Sequence, residues 1–141
     1  MVNYQRINGA LRAIYMNIRS NMLAEVKRQQ VEFSPLEHVA MSNIFKLSGA
    51  SQQMLVELMN KDKAQIARIV ARLLRQDLII KQENPDDKRC VLLNLTTKGE
   101  KLLKRLDHVE LEIITNMLTG FSDEESASLT VLLERINKNL K

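Results

Sequence analysis

Between Lys61 and Gly99 the chain runs KDKAQIARIVARLLRQDLIIKQENPDDKRCVLLNLTTKG, and its long cations alternate with very small residues. At about 100° per residue, Ala64, Arg68, Ala71, Arg72 and Arg75 fall on one side of a helix. Ile66, Ile69, Val70, Leu73 and Leu74 fall on the other. Arginine and lysine reach phosphate oxygens and guanine edges. Alanine lets a helix backbone come close to what it touches. A merely solvated face carries mixed acids and bases, yet no acid stands between Lys63 and Gln76. Lys63, Ala64 and Gln65 open this helix, and the side-chain amide of Gln65 suits adenine. A second cationic group, Lys88 and Arg89, follows the turn signal Asn84-Pro85-Asp86-Asp87. A basic helix beside a ribbon with cations near its tip suits a duplex touched in two grooves.

These residues need elements to carry them. Leu78-Ile79-Ile80 and the alternating run Cys90 to Leu95 read as two strands of a hairpin. Ile7, Leu11, Ile14, Ile18 and Met22 mark a long first helix with a narrow apolar stripe, over residues 3–29. Such a stripe suits a partner helix from another subunit. A connector covers Gln29 to Phe33. Ser34-Pro35-Leu36-Glu37 reads as a capping box opening a second helix to about Leu47. Ser48-Gly49-Ala50 breaks it, and Ser51 caps a short helix with Met54, Leu55, Leu58 and Met59 inward. Asp62 caps the basic helix. Thr97-Lys98-Gly99-Glu100 and Ser122-Asp123-Glu124-Glu125 read as further capping boxes. The first opens a helix to about Leu118, and the second opens a last helix with Leu129, Leu132, Leu133, Ile136 and Leu140 inward. The fold class is therefore mainly α with a small β-hairpin: a winged helix-turn-helix plus a helical dimerisation region.

Composition supports this. One hundred and forty-one residues with four Gly and two Pro favour one mainly helical domain. Net charge is +4, but residues 61–105 hold 12 Lys and Arg against 6 acids, whereas residues 106–141 hold 3 against 7. The positive charge thus sits on the basic helix and hairpin and points to a polyanion. One cysteine excludes an internal disulfide and fits a reducing compartment. No long apolar run or signal-peptide core is present, so a cytoplasmic protein without membrane attachment is expected.

The wing motif is specific. Asp87-Lys88-Arg89 leading into Leu95-Thr96-Thr97-Lys98-Gly99 resembles the MarR family of bacterial transcription regulators, marked by an acidic-x-Arg wing before Leu-Thr-x-x-Gly. The resemblance spans nearly the whole chain. It implies that Asp62–Gln76 enters the major groove and that Asp87 and Arg89 follow the adjacent minor groove or its backbone. It divides the chain 1–141 into dimerisation helices at 1–30 and 100–141 and a DNA-binding lobe at 34–99. It implies a homodimer on a pseudo-palindromic operator in double-stranded DNA, acting as a repressor released by a small, anionic aromatic effector. Members usually carry Gly where Asp77 follows the basic helix.

Plainer readings stand beside these. Arg68 and Arg72 also suit a solvated face, Asp87 and Arg89 a pair that shapes the hairpin, and Cys90 strand packing. His38 and His108 lack the spacing of metal ligands. The Met residues read as core, and Tyr4, Tyr15 and Arg19 are open candidates for an effector pocket. No nucleophile, base and oxyanion set occurs, so neither an enzyme nor a cofactor is expected. The competing function is a winged-helix module for protein contacts, which calls for apolar residues on the basic face.

Overall fold

The computed structural model describes residues 1–30 and 34–141. The expected connector from Gln29 to Phe33 falls largely on residues 31–33, outside the described residues. The order is α1 (Tyr4–Arg28), α2 (Pro35–Lys46), α3 (Gln52–Met59), α4 (Lys63–Arg75), β1 (Ile79–Asn84), β2 (Asp87–Leu95), α5 (Thr97–Met117) and α6 (Asp123–Asn139). The chain forms two compact units, Met1–Val109 and Glu110–Lys141.

The first unit has one core. Met41 and Ile44 of α2, Leu55 of α3, Ile66 and Leu73 of α4, Ile79, Leu93 and Leu106 are all buried. Each arrives through its element's own period. On α4 the buried side chains are Ile66, Ile69, Val70 and Leu73, while Leu74 is half-buried. The antiparallel hairpin pairs Ile79 with Leu95 and Lys81 with Leu93. Ala50 adds a short third rung by exchanging both backbone hydrogen bonds with Leu93, at 3.0 and 2.7 Å. His38 Nε2 lies 2.8 Å from Asp107 Oδ1 and ties α2 to α5.

The helix starts decide the frame. Ser34, Ser51, Asp62 and Ser122 cap α2, α3, α4 and α6. Only the Ser122–Glu125 box among the three expected ones closes in both directions. There the Ser122 N–H and hydroxyl hold the Glu125 carboxyl below its ordinary value. In α2 the Glu37 side chain turns away from its cap and is buried. In α5 the cap is Thr96, one residue earlier than the sequence reading placed it: its Oγ1 accepts from Gly99 N–H at 3.0 Å. That places Gly99 at the third helical position, so Glu100 cannot reach back to complete the reciprocal bond.

The inward faces expected for α3 and α6 also need correcting. In α3 Leu55 is buried and Met59 half-buried, but Met54 and Leu58 are exposed, because the Ser51 cap fixes the rotation of a helix only eight residues long. No residue of α6 is buried. Leu132, Leu133, Ile136 and Leu140 stay exposed, as do Ile7, Leu11 and Ile14 of α1. Contiguous apolar stripes of this size are the ordinary signature of an interaction surface.

A tight junction joins α4, the hairpin and α5. Asp77 adopts the left-handed conformation, φ +57°, that glycine occupies more cheaply by roughly 1 kcal/mol. Leu78 N–H donates to the Leu73 carbonyl (3.0 Å) and Asp77 N–H to the Leu74 carbonyl (3.1 Å), a Schellman ending. Thr96 Oγ1 donates to the Asp77 carbonyl at 2.6 Å, and Thr96 N–H donates to the Leu78 carbonyl at 3.0 Å. Gly99 then packs directly on that peptide: a Cβ at this position would lie 2.0 Å from the Leu78 carbonyl oxygen. Gly99→Ala is therefore expected to destabilise the fold by about 1–3 kcal/mol. Urea unfolding of the two proteins at equal concentration measures this; an unchanged midpoint would show that the junction can open without cost.

Candidate nucleic-acid interface

The basic helix is presented with one face locked and the other free. Gln65 N–H donates to Asp62 Oδ1 at 2.8 Å, which fixes the first turn. At the other end Lys98 Nζ donates to the Gln76 carbonyl at 2.8 Å, placing a cation at the negative end of the helix dipole. Lys63, Ala64, Ala67, Arg68, Ala71 and Arg75 are exposed between these anchors. Large apolar side chains are absent from this set, and so are acids. That combination does not suit a protein-contact surface, whose centre is depleted in charge and enriched in aromatic residues.

Two expected contact residues sit differently from Arg68. Gln65 is half-buried. Arg72 is not a free groove-facing cation: its Nε lies 2.9 Å from Glu37 Oε1 in an ion pair, with the Glu37 side chain 2% exposed and that of Arg72 42%. Sequence reading missed this partnership because Glu37 completes a convincing capping motif with Ser34.

The wing carries the second cationic group. The ladder pairs Glu83 with Val91 and then Asn84 with Asp87, so Lys88, Arg89 and Cys90 are extra residues on β2. Such a bulge re-aims side chains out of the regular alternation. Lys88 and Arg89 are exposed there, and Cys90 is half-buried. Asp86 N–H donates to Asn84 Oδ1, and Arg89 N–H donates to Asp87 Oδ1, both at 3.0 Å. Asp87 is exposed, and the contact it makes to Arg89 is to the backbone, where it pins the bulge.

Arg89 also borders a cleft of about 320 Å³, lined with Ser51, Gln52, Lys81, Cys90, Val91 and Leu93. Lys81 and Ala67 are additions to the residues singled out from sequence, which already held Arg75. Ala67 and Arg75 follow from the α4 period itself; Lys81 became visible only once the hairpin register was known. Among the described residues no group of three or more His, Cys, Asp and Glu side chains could hold a metal ion.

A family model described as MarR family matches residues 33–91. The chain belongs to the MarR family. It is 27% identical over 139 residues to the HTH-type transcriptional regulator YybA of Bacillus subtilis, covering 96% of this chain and 91% of YybA. Its fold is that of MarR from E. coli in a structure complexed with operator DNA, with TM-score 0.77, 17% identity and 93% of each chain covered. It is equally close, at TM-score 0.77, 18% identity and 97% of each chain, to BpsR of Bordetella bronchiseptica, whose structure addresses regulation of DNA binding by 6-hydroxynicotinic acid. The chain is thus a DNA-binding transcription regulator, and regulators of this family bind operator DNA as dimers.

The wing geometry carries its own test. Asp87→Ala removes a negative charge, so simple electrostatics favours tighter DNA binding. Loss of the bond that pins the bulge favours weaker binding, because Arg89 must then be ordered on contact. A several-fold weaker affinity is expected in a fluorescence-anisotropy titration, and tighter binding would show that Asp87 matters only as a charge.

Proposed function

We propose that two copies of the chain dock α4 in successive major grooves of a pseudo-palindromic operator, with each wing along the flanking minor groove or backbone. The observation that carries this reading is the acid-free exposed face of α4, in which Lys63, Ala64, Arg68 and Arg75 surround small residues. The dimerisation helices are those at 1–30 and 100–141, and the DNA-binding lobe lies at 34–99; the exposed apolar residues of α1 and α6 support this division. Arg68 is the base reader, bidentate to guanine, with Ala64 allowing close approach and Gln65 contributing at the helix start. Lys63, Lys88 and Arg89 hold phosphates, and Asp87 serves Arg89. Arg72 stands at the flank of the face.

In this reading the protein is a cytoplasmic repressor without catalytic activity. It blocks its operator until a small, anionic aromatic effector binds; the regulation of BpsR by 6-hydroxynicotinic acid supports that part by analogy. No helix among the described residues is long and apolar enough to cross a membrane.

Reading and anchoring separate experimentally. Arg68→Ala is expected to cost about 1–3 kcal/mol on the operator and relax preference at one base pair per half-site. Arg89→Ala is expected to weaken operator and random DNA alike and to lessen the dependence of log affinity on log salt by about one unit per subunit. Both variants keep the wild-type helical dichroism, since both side chains are exposed. The reverse pattern, with Arg68→Ala weakening all DNA equally and Arg89→Ala changing base preference, would refute the assignment.

A further inference from the structure

We infer that Glu37 is a positioning residue for DNA binding and acts through Arg72. The inference rests on the DNA reading above and concerns a residue on α2, outside the recognition helix. The Glu37 side chain is 2% exposed, and Arg72 Nε lies 2.9 Å from its Oε1, an ion pair. A charge this buried is costly without a partner of opposite sign, and breaking such a pair from one side is strongly unfavourable. Arg72 is therefore held in one place. The Arg72 side chain is 42% exposed, and its contact with Glu37 is through the Nε end of a guanidinium that carries five N–H donors.

The position of Arg72 on α4 says what the remaining donors meet. At about 100° per residue it lies about 40° around the helix from Arg68, at the flank of the exposed face. A helix seated in a major groove turns its centre to base edges and its flanks to the two backbones. Arg72 is thus aimed at a phosphate, and its Nη groups match a phosphate in geometry. A free surface arginine loses rotamer entropy when it binds phosphate. Arg72 has lost much of it on folding, through Glu37, so the contact forms at lower entropic cost.

The alternative has the opposite sign. If Glu37 merely neutralises Arg72 and keeps it from DNA, removing the carboxylate frees a cation and removes an anion, and binding strengthens. Operator affinity of the full-length protein, measured by anisotropy with unfolding midpoints as a check, separates the two for wild type, Glu37→Ala, Arg72→Ala, the double variant and Glu37→Gln. Glu37→Ala and Arg72→Ala are each expected to weaken binding by about tenfold, or ~1.4 kcal/mol. The double variant should be no weaker than either single one, because both remove one contact. Glu37→Gln keeps an acceptor oxygen and should stay within about threefold of wild type. Arg72→Ala should also flatten the salt dependence by about 0.9 per phosphate lost.

Glu37→Ala binding as tightly as wild type or tighter, or a double variant about 100-fold weaker, overturns the inference. If Glu37→Ala does not fold, Arg72→Ala in the Glu37→Gln background decides: a tenfold loss supports the inference and no loss overturns it. Wild type that binds the operator while every variant matches it refutes this inference alone. Wild type that binds no duplex refutes the DNA reading beneath it.

Discussion

The contact between Gly99 and the Leu78 peptide is the constraint on which the DNA-facing geometry depends. With no Cβ in the way, the first turn of α5 lies directly on the residue that ends α4 and begins the hairpin. Thr96 closes the same junction by bonding to Asp77 and Leu78 on one side and capping Gly99 on the other. Three elements are thereby fixed at one point: the end of the basic helix, both ends of the wing, and the start of the long helix. The Leu-Thr-x-x-Gly motif is thus a mechanical hinge-pin, and none of its residues need touch DNA for the wing to stand beside α4.

Given that frame, charge is distributed by degree of restraint. Arg68 and Arg75 project freely from the exposed side of α4. Arg72 is tethered from beneath by a buried carboxylate, and Arg89 has its backbone pinned by Asp87 while its side chain is exposed. Free cations can adapt to a base edge; restrained ones present donors in a set place, which suits a phosphate whose position varies little with sequence. The uncovered apolar stripes of α1 and α6 support the proposed dimer, in which a two-fold partner would cover them and double the number of grooves met.

Much of this was legible in the sequence where one physical signal dominates. The buried face of α4 follows from a strict 3.6-residue period, and the turn at Asn84 to Asp87 from proline and side-chain amide chemistry. The left-handed Asp77 followed from the family comparison of a glycine position. Other features were ambiguous because two structures share one pattern. Ser34 to Glu37 has the same letters whether the glutamate caps its helix or pairs with an arginine on another one. Thr96 and Thr97 are both competent caps, and only the packing of Gly99 selects the first. Met54 and Leu58 are apolar at helical spacing, yet a two-turn helix has too little length for its period to reveal which side is covered. The bulge that displaces Lys88, Arg89 and Cys90 has no sequence mark beyond the turn before it.

The proposed function requires this scaffold to read a specific duplex as a two-fold dimer. Selection of bound sequences from a pool of random double-stranded DNA, using the full-length protein at physiological salt, tests it most directly. The predicted result is one enriched sequence with two inverted half-sites separated by about one helical turn, roughly 10 base pairs centre to centre. A pool that stays random through successive rounds, while the protein remains folded, would contradict it.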